Sequence, residues 1–172
     1  MGRRADRTEE FVTYASSRRR YLRRAAYLVC GDWHLADDLV QTALTKLYVA
    51  WPRIHTDGAQ DAYARRTIVR AYLDERRRPW RREQVGLDGH DHAAADGVSM
   101  EDGDALLGAL KTLPDRQRAT IVLRFWCGLS VEEAAAEMGC SAGTVKSQTA
   151  RAMVSLRNAL SADDISAERE PL

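Results

Sequence analysis

Three sets of side chains in this sequence have types and spacings suited to recognition rather than to making or breaking bonds. The first is Asp37, Asp38 and Gln41, a carboxylate–carboxylate–amide cluster in an otherwise basic stretch. Taken alone, acids in the first turn of a helix favour its dipole, and that structural role accounts for them better than binding does. The second is Tyr63, Arg66, Arg70 and Arg77, which a helix would bring within about 60° of one another. An arginine face with an aromatic at its edge suits a nucleic-acid backbone held beside unstacked bases, and merely solvated arginines are an equal alternative. The third is Ser141, Gly143, Thr144, Lys146, Ser147, Gln148 and Arg151. Hydroxyls and amides at a helix start can bind phosphate, and the long side chains can reach base edges. An ordinary helical hairpin with a solvated face would show the same polarity.

Chemistry of other kinds finds little to work with. There is no Gly-rich phosphate loop, no metal set and no convincing nucleophile–base pair, so an enzyme acting on nucleic acid is disfavoured. Cys30 and His34 lack a second ligand pair at zinc spacing, and His90 and His92 fall in a linker-like stretch, so no metal or other cofactor is expected. Cys30, Cys127 and Cys140 are an odd, scattered set that fits a reducing compartment. No basic cluster beside them argues for a reactive thiol.

Helices must position these residues, because no strand-like alternation of useful length and no internal repeat occurs. Apolar spacing gives a helix over 9–29, with Phe11, Tyr14, Leu22, Ala25, Ala26 and Val29 inward, interrupted by Gly31-Asp32. A second helix over 34–51 stops at Pro52. It puts Leu39, Val40, Ala43, Leu44, Leu47, Ala50 and Trp51 on one side, and Asp37, Asp38, Gln41, Thr42, Thr45 and Lys46 on the other. After a loop, a third helix over 61–78 has Ile68, Val69, Tyr72 and Leu73 on its core side. Periodicity then vanishes: GLDGHDHAAADGVSMEDGD holds four glycines and six acids and little to bury, as a flexible linker would. Four further helices follow, over 104–112, 115–127, 131–138 and 142–160, with 161–172 expected to fray. The fold class is therefore all-α: two small helical domains, 1–82 and 104–160, joined by a flexible acidic linker over 83–103.

The last helices carry the sharpest motif. Ser130 and Glu133 have capping-box spacing, Ala135 is small where two helices cross, and Gly139 suits a turn that needs positive φ. Ser141 can cap the following helix, whose inner side would be Val145, Thr149, Ala152, Met153 and Leu156. These offsets match a helix-turn-helix, in which the second helix enters the major groove.

Charge supports the division. Over 1–82 there are 18 Lys/Arg against 10 Asp/Glu; over 83–104 there are none against 7; over 105–160 there are 7 against 4. Two basic bodies joined by an acidic strap have the electrostatic layout of a nucleic-acid binder with two contact points. No apolar run approaches the roughly 18 residues of a membrane helix. The basic-then-acidic N-terminus has no signal-peptide core, so a cytoplasmic protein is expected.

In sum, LADDLVQTALTKLYVAW, a basic helix ending YLDERRR, the acidic stretch and LPDRQRATIVLRFWCGLSVEEAAAEMGCSAGTVKSQTARA occur in that order. Over about residues 9–160 the chain resembles the extracytoplasmic-function class of bacterial RNA polymerase sigma factors. The resemblance implies that the protein binds core polymerase through the clamp helices of its largest subunit and through its flap region. It would direct the enzyme to −10 and −35 promoter elements, help melt DNA, and act at the nucleoid while bound. Asp37, Asp38, Gln41, Thr42 and Thr45 fall at the family's polymerase-docking face. The loop over 54–60, with His55 and Asp57, and the helix bearing Tyr63, Arg66, Arg70 and Arg77 fall where the family holds melted −10 DNA and a flipped base. Ser141, Gly143, Thr144, Lys146, Ser147, Gln148 and Arg151 fall in the −35 reading helix. The linker would thread the polymerase cleft, its acids imitating a nucleic-acid strand, and an anti-sigma factor is an implied partner.

This sequence departs from the family at Thr42 (commonly an acid), Tyr63 (a tryptophan), Arg70 (an asparagine) and Gln148 (an arginine), so base preferences do not transfer. The alternative is a stand-alone helix-turn-helix repressor or activator, which would bind a palindromic operator without polymerase. The long acidic linker without a dimer-like heptad speaks against it.

Overall fold

A computed structural model describes the backbone of residues 2–54, 58–77 and 100–167, and the side chains of 6–54, 58–77 and 105–161. Its described elements are all helical. They fall into two compact units, one on either side of Asp88.

In the first unit, α1 (Gly2–Cys30) turns into α2 (Trp33–Ala50) through two residues. Gly31 takes φ +76°, a left-handed conformation easy for glycine, and its amide bonds back to Tyr27 O at 2.7 Å. Asp32 is extended and caps α2 by accepting from the Leu35 amide at 2.8 Å. Pro52 sits in the short 3-10 turn Trp51–Arg53 that ends α2, as its missing donor requires. The third helix, α3, spans Ala59–Arg77.

Leu22, Ala25, Ala26 and Val29 of α1 meet Ala36, Leu39, Val40, Ala43 and Leu47 of α2 and Ala64, Ile68, Val69, Tyr72 and Leu73 of α3 in one buried core. Each fully buried large side chain contributes roughly 1.5–3 kcal/mol. The alanines let the helix backbones approach closely. Helix α1 starts seven residues earlier than its apolar pattern suggests, because Arg, Ala and Glu extend a helix without needing a core. Gln60, expected in a loop, is helical. His55, Asp57 and Arg78 lie outside the described residues.

In the second unit, α4 (Met100–Thr112) takes in residues 100–103 of the stretch expected to be linker, since acids are welcome at helix starts. Pro114 precedes α5 (Asp115–Ile121). The helix expected over 115–127 forms as far as Trp126, but its last turn, Val122–Trp126, is π-helical. The Cys127 amide bonds to Val122 O, five residues back, at 2.9 Å. The wider turn keeps Val122 and Leu123 buried while Phe125 and Trp126 stand 58% and 39% exposed. Gly128, at φ +72°, ends it, and the Arg124 guanidinium donates to Leu129 O.

Then come α6 (Val131–Met138), as expected, and α7 (Ala142–Ala167), which continues seven residues beyond Leu160 into the stretch expected to fray. Ala109, Leu110, Leu113, Ala119, Ile121, Val122, Leu123, Leu129, Ala134, Ala135, Met138, Val145, Ala152 and Leu156 form the core. Buried Arg118 is paired with Asp115 at 2.8 Å.

Candidate functional site

In the second unit the helix-turn-helix is built as its residues dictate. Ser130 Oγ accepts from the Glu133 amide at 3.1 Å while the Ser130 amide donates to Glu133 Oε2 at 2.7 Å, closing the capping box. Gly139 takes φ +66° and turns the chain, its amide bonding to Ala135 O. Ser141 Oγ accepts from the Thr144 amide at 3.1 Å and lies 2.9 Å from Thr144 Oγ1. Fully buried Val145 anchors the helix start.

Gly143, Lys146, Ser147 and Arg151 are left exposed at one end of α7, with Thr144 and Gln148 half-buried beside them. A Cβ built on Gly143 would meet only Ser141 Oγ, at 3.7 Å, which is ordinary contact. Nothing inside the protein therefore demands glycine there. A capped helix start with small side chains, the Ala142 and Gly143 amides ahead of the first helical hydrogen bond and two cations nearby can hold an anionic backbone close. One expectation needs correcting: Met153, placed on the inner side, is 37% exposed, because it lies about 80° round α7 from Val145, at the edge of the buried side that Val145, Ala152 and Leu156 define.

In the first unit the acidic cluster divides. Because α2 starts at Trp33 with Asp32 as its cap, Asp37 and Asp38 lie past the first turn, and Asp32 takes the part that the helix dipole would have given them. Asp38, Gln41, Thr42 and Thr45 are exposed along one line, and the Thr45 hydroxyl donates to Gln41 O at 2.8 Å. Asp37 is half-buried and accepts from Arg23 Nε at 2.7 Å and Nη2 at 3.1 Å. Those hydrogen bonds hold its carboxyl below the usual aspartate range, against an opposing push from burial. The Arg23 guanidinium lies 4.3 Å from the Trp33 ring centroid, and Trp33 stacks on Tyr27 at 3.8 Å.

On α3, Tyr63 is half-buried with the Arg66 guanidinium 5.4 Å from its ring, and Arg66, Arg70 and Arg77 are exposed. The start of α3 is tied to α1: Asp61 accepts from Tyr14 Oη at 2.8 Å and from Arg18 Nε at 3.0 Å, with Arg18 Nη2 on its other oxygen. Burial pushes the Asp61 carboxyl up, but the bonds from Arg18 and Tyr14 and the charges of Arg18 and Arg65 together bring it below its ordinary value. Burial and the bond to Asp61 push the Tyr14 phenol up.

Sequence reasoning missed Asp32, Arg23 and the Tyr14–Arg18–Asp61 group. An aspartate just ahead of an apolar-periodic run is a cap signal that could have found Asp32. The other partners sit on different helices, and no local pattern announces them.

Comparison with known proteins adds to this geometry. The family model "Sigma-70 region 2" matches residues 13–82, and "Sigma-70, region 4" matches residues 103–156. The RNA polymerase sigma-E factor of Streptomyces coelicolor is 38% identical over 169 residues, 94% of this chain and 93% of that protein. The ECF RNA polymerase sigma factor SigM of Mycobacterium tuberculosis H37Rv is 32% identical over 141 residues, 82% of this chain and 72% of that protein. Among solved structures, the sigma factor RpoE, co-crystallised with the anti-sigma factor NepR from Bartonella quintana, matches with a TM-score of 0.76 at 26% identity, over 90% of this chain and 99% of that one.

Proposed function

The chain belongs to the extracytoplasmic-function class of RNA polymerase sigma factors, and from that premise we propose how its two units divide the work of promoter recognition. The unit of residues 1–82 docks on core polymerase through the exposed line Asp38, Gln41, Thr42 and Thr45, with Asp37 beside it. The clamp helices of the largest subunit are the partner. The same unit holds the melted −10 element with His55, Asp57, Tyr63, Arg66, Arg70 and Arg77. The unit of residues 104–160 meets the flap region and reads the −35 element with Ser141, Gly143, Thr144, Lys146, Ser147, Gln148 and Arg151. The acidic segment 83–103 spans the polymerase cleft between them. No catalytic step belongs to the chain itself; it works at the nucleoid while bound to polymerase, and an anti-sigma factor silences it by covering the docking line.

The observation that carries this assignment is the exposed start of α7, where Gly143 has no internal reason to be glycine and cations lie within a turn or two. Two weak contacts on one chain gain from each other's effective concentration, and polymerase docking sets their separation.

Purified protein with core polymerase should start transcription at a promoter with both elements, and protein without core should bind the same duplex poorly. Asp38→Arg should abolish core binding and leave the melting of the C-terminal unit unchanged. Tight, polymerase-independent binding to a single palindromic site would instead identify a stand-alone repressor or activator.

A further inference from the structure

One carboxylate of the docking face is already engaged. Both oxygens of Asp37 accept from Arg23, at 2.7 and 3.1 Å, in the fork geometry that makes arginine–carboxylate pairs strong. The same guanidinium covers the Trp33 ring at 4.3 Å, and the Trp33 ring stacks on Tyr27 at 3.8 Å with planes 2° apart. Tyr27, Trp33, Arg23 and Asp37 thus make one layered column that bridges the end of α1 and the start of α2. The backbone corner beside it is equally determined, by Gly31 at φ +76° and the Asp32 cap. One residue further on, Asp38 is exposed and has no ion pair among the described residues.

We infer that Arg23 and Asp37 are positioning residues rather than polymerase ligands: their pair fixes the angle of α2 on α1, so that Asp38, Gln41, Thr42 and Thr45 meet the polymerase as a preformed line. The inference rests on the docking assignment above. Handing Asp37 to a partner would break two charge-assisted bonds and leave the freed Arg23 facing the basic surface that an acidic line attracts. Pre-organisation acts in the other direction, since a line already straight loses less freedom on binding.

The two roles give opposite signs. If Asp37 were a ligand and Arg23 its competitor, Arg23→Ala would release it and tighten binding. If the pair positions α2, the same change weakens binding. The test is a titration of labelled full-length protein with core polymerase at several salt concentrations, for Arg23→Ala, Arg23→Lys, Asp37→Asn and Asp38→Asn. It is run at a temperature where circular dichroism shows wild-type helicity.

Arg23→Ala should weaken binding about tenfold, on the order of 1.4 kcal/mol, without changing the salt slope. Arg23→Lys should recover only part, because an ammonium lacks the planar fork. Asp37→Asn, whose amide oxygen can accept only one of the two bonds from Arg23, should weaken binding no more than Arg23→Ala and at an unchanged salt slope, whereas Asp38→Asn should weaken binding and flatten the slope. Tighter or unaltered binding by Arg23→Ala, or a loss and a flattened slope in Asp37→Asn equal to those of Asp38→Asn, overturns the positioning role and leaves the docking line standing. Unaltered binding by Asp38→Asn overturns the docking assignment and the inference with it. Should Arg23→Ala not fold, Arg23→Lys and Asp37→Asn decide alone: wild-type binding by Arg23→Lys, or an Asp38-like flattening of the salt slope in Asp37→Asn, counts against the pair.

Discussion

Gly143→Ala should move stability and function in opposite directions. Gly143 is the second residue of α7, and its φ is not in the positive region. A new Cβ would meet only Ser141 Oγ at 3.7 Å, so the methyl enters without strain. Removing glycine's freedom in the unfolded chain then stabilises the fold by about 0.4–1 kcal/mol. For a unit of this size that raises the midpoint of thermal unfolding by roughly 2–8 °C. At the promoter the sign reverses. If the start of α7 lies against the −35 backbone, a methyl wedged into that contact costs about 1–2 kcal/mol, or roughly 5- to 30-fold in affinity. Melting the full-length protein by circular dichroism reads the first effect. Holoenzyme binding to a two-element promoter at fixed salt, with wild-type core affinity as control, reads the second. A variant that melts higher yet binds the promoter as tightly as wild type would show that the start of α7 stands off the DNA.

Other consequences follow from the same contacts. Ser130→Ala removes the acceptor for the Glu133 amide and should cost about 1 kcal/mol, lowering the melting of the C-terminal unit by roughly 4–8 °C; an unshifted transition would mean the capping box contributes nothing. Acid should destabilise the N-terminal unit, because Asp61 and Asp37 hold their carboxyls below the ordinary aspartate range when folded. Their contribution is complete above the unfolded value, near pH 4, and disappears as pH falls through the depressed folded values. Asp61→Asn should therefore be less stable at neutral pH and lose less on acidification. Equal acid losses in the two proteins, followed by helicity, would remove Asp61 from that account.

Features written in local spacing were legible in the sequence. Helix α6, its capping box and the glycine of the turn are set by neighbours three to five residues apart, and they form as the spacing indicates. The buried line Leu39, Val40, Ala43 and Leu47 follows from helical periodicity in the same way. The π-turn was hidden because Val122–Trp126 reads as ordinary helix, and only packing in three dimensions decides that one turn must widen. Of the docking cluster, the exposure of Asp38 and Gln41 could be read from the two-sided helix. The engagement of Asp37 could not, since Arg23 lies on another helix and its reach depends on the sharp corner at Gly31-Asp32. A helix pattern reports which side of a residue faces out, and not who is waiting there.

The widened turn at Val122–Trp126 also constrains how this chain can vary in length. A π-turn holds one residue more than the α-turn it replaces, and each residue along a helix advances the side chains by about 100°. Losing a single residue there would let the wide turn close to an α-turn, whereas the same loss within an α-turn would swing the side chains that follow round by that angle. The surplus sits towards exposed Phe125 and Trp126, while Val122 and Leu123 at the start of the turn are buried. A one-residue deletion at the aromatic end would therefore be absorbed at a surface, whereas one among buried Ala134, Ala135 and Met138 of α6 would rearrange an interior.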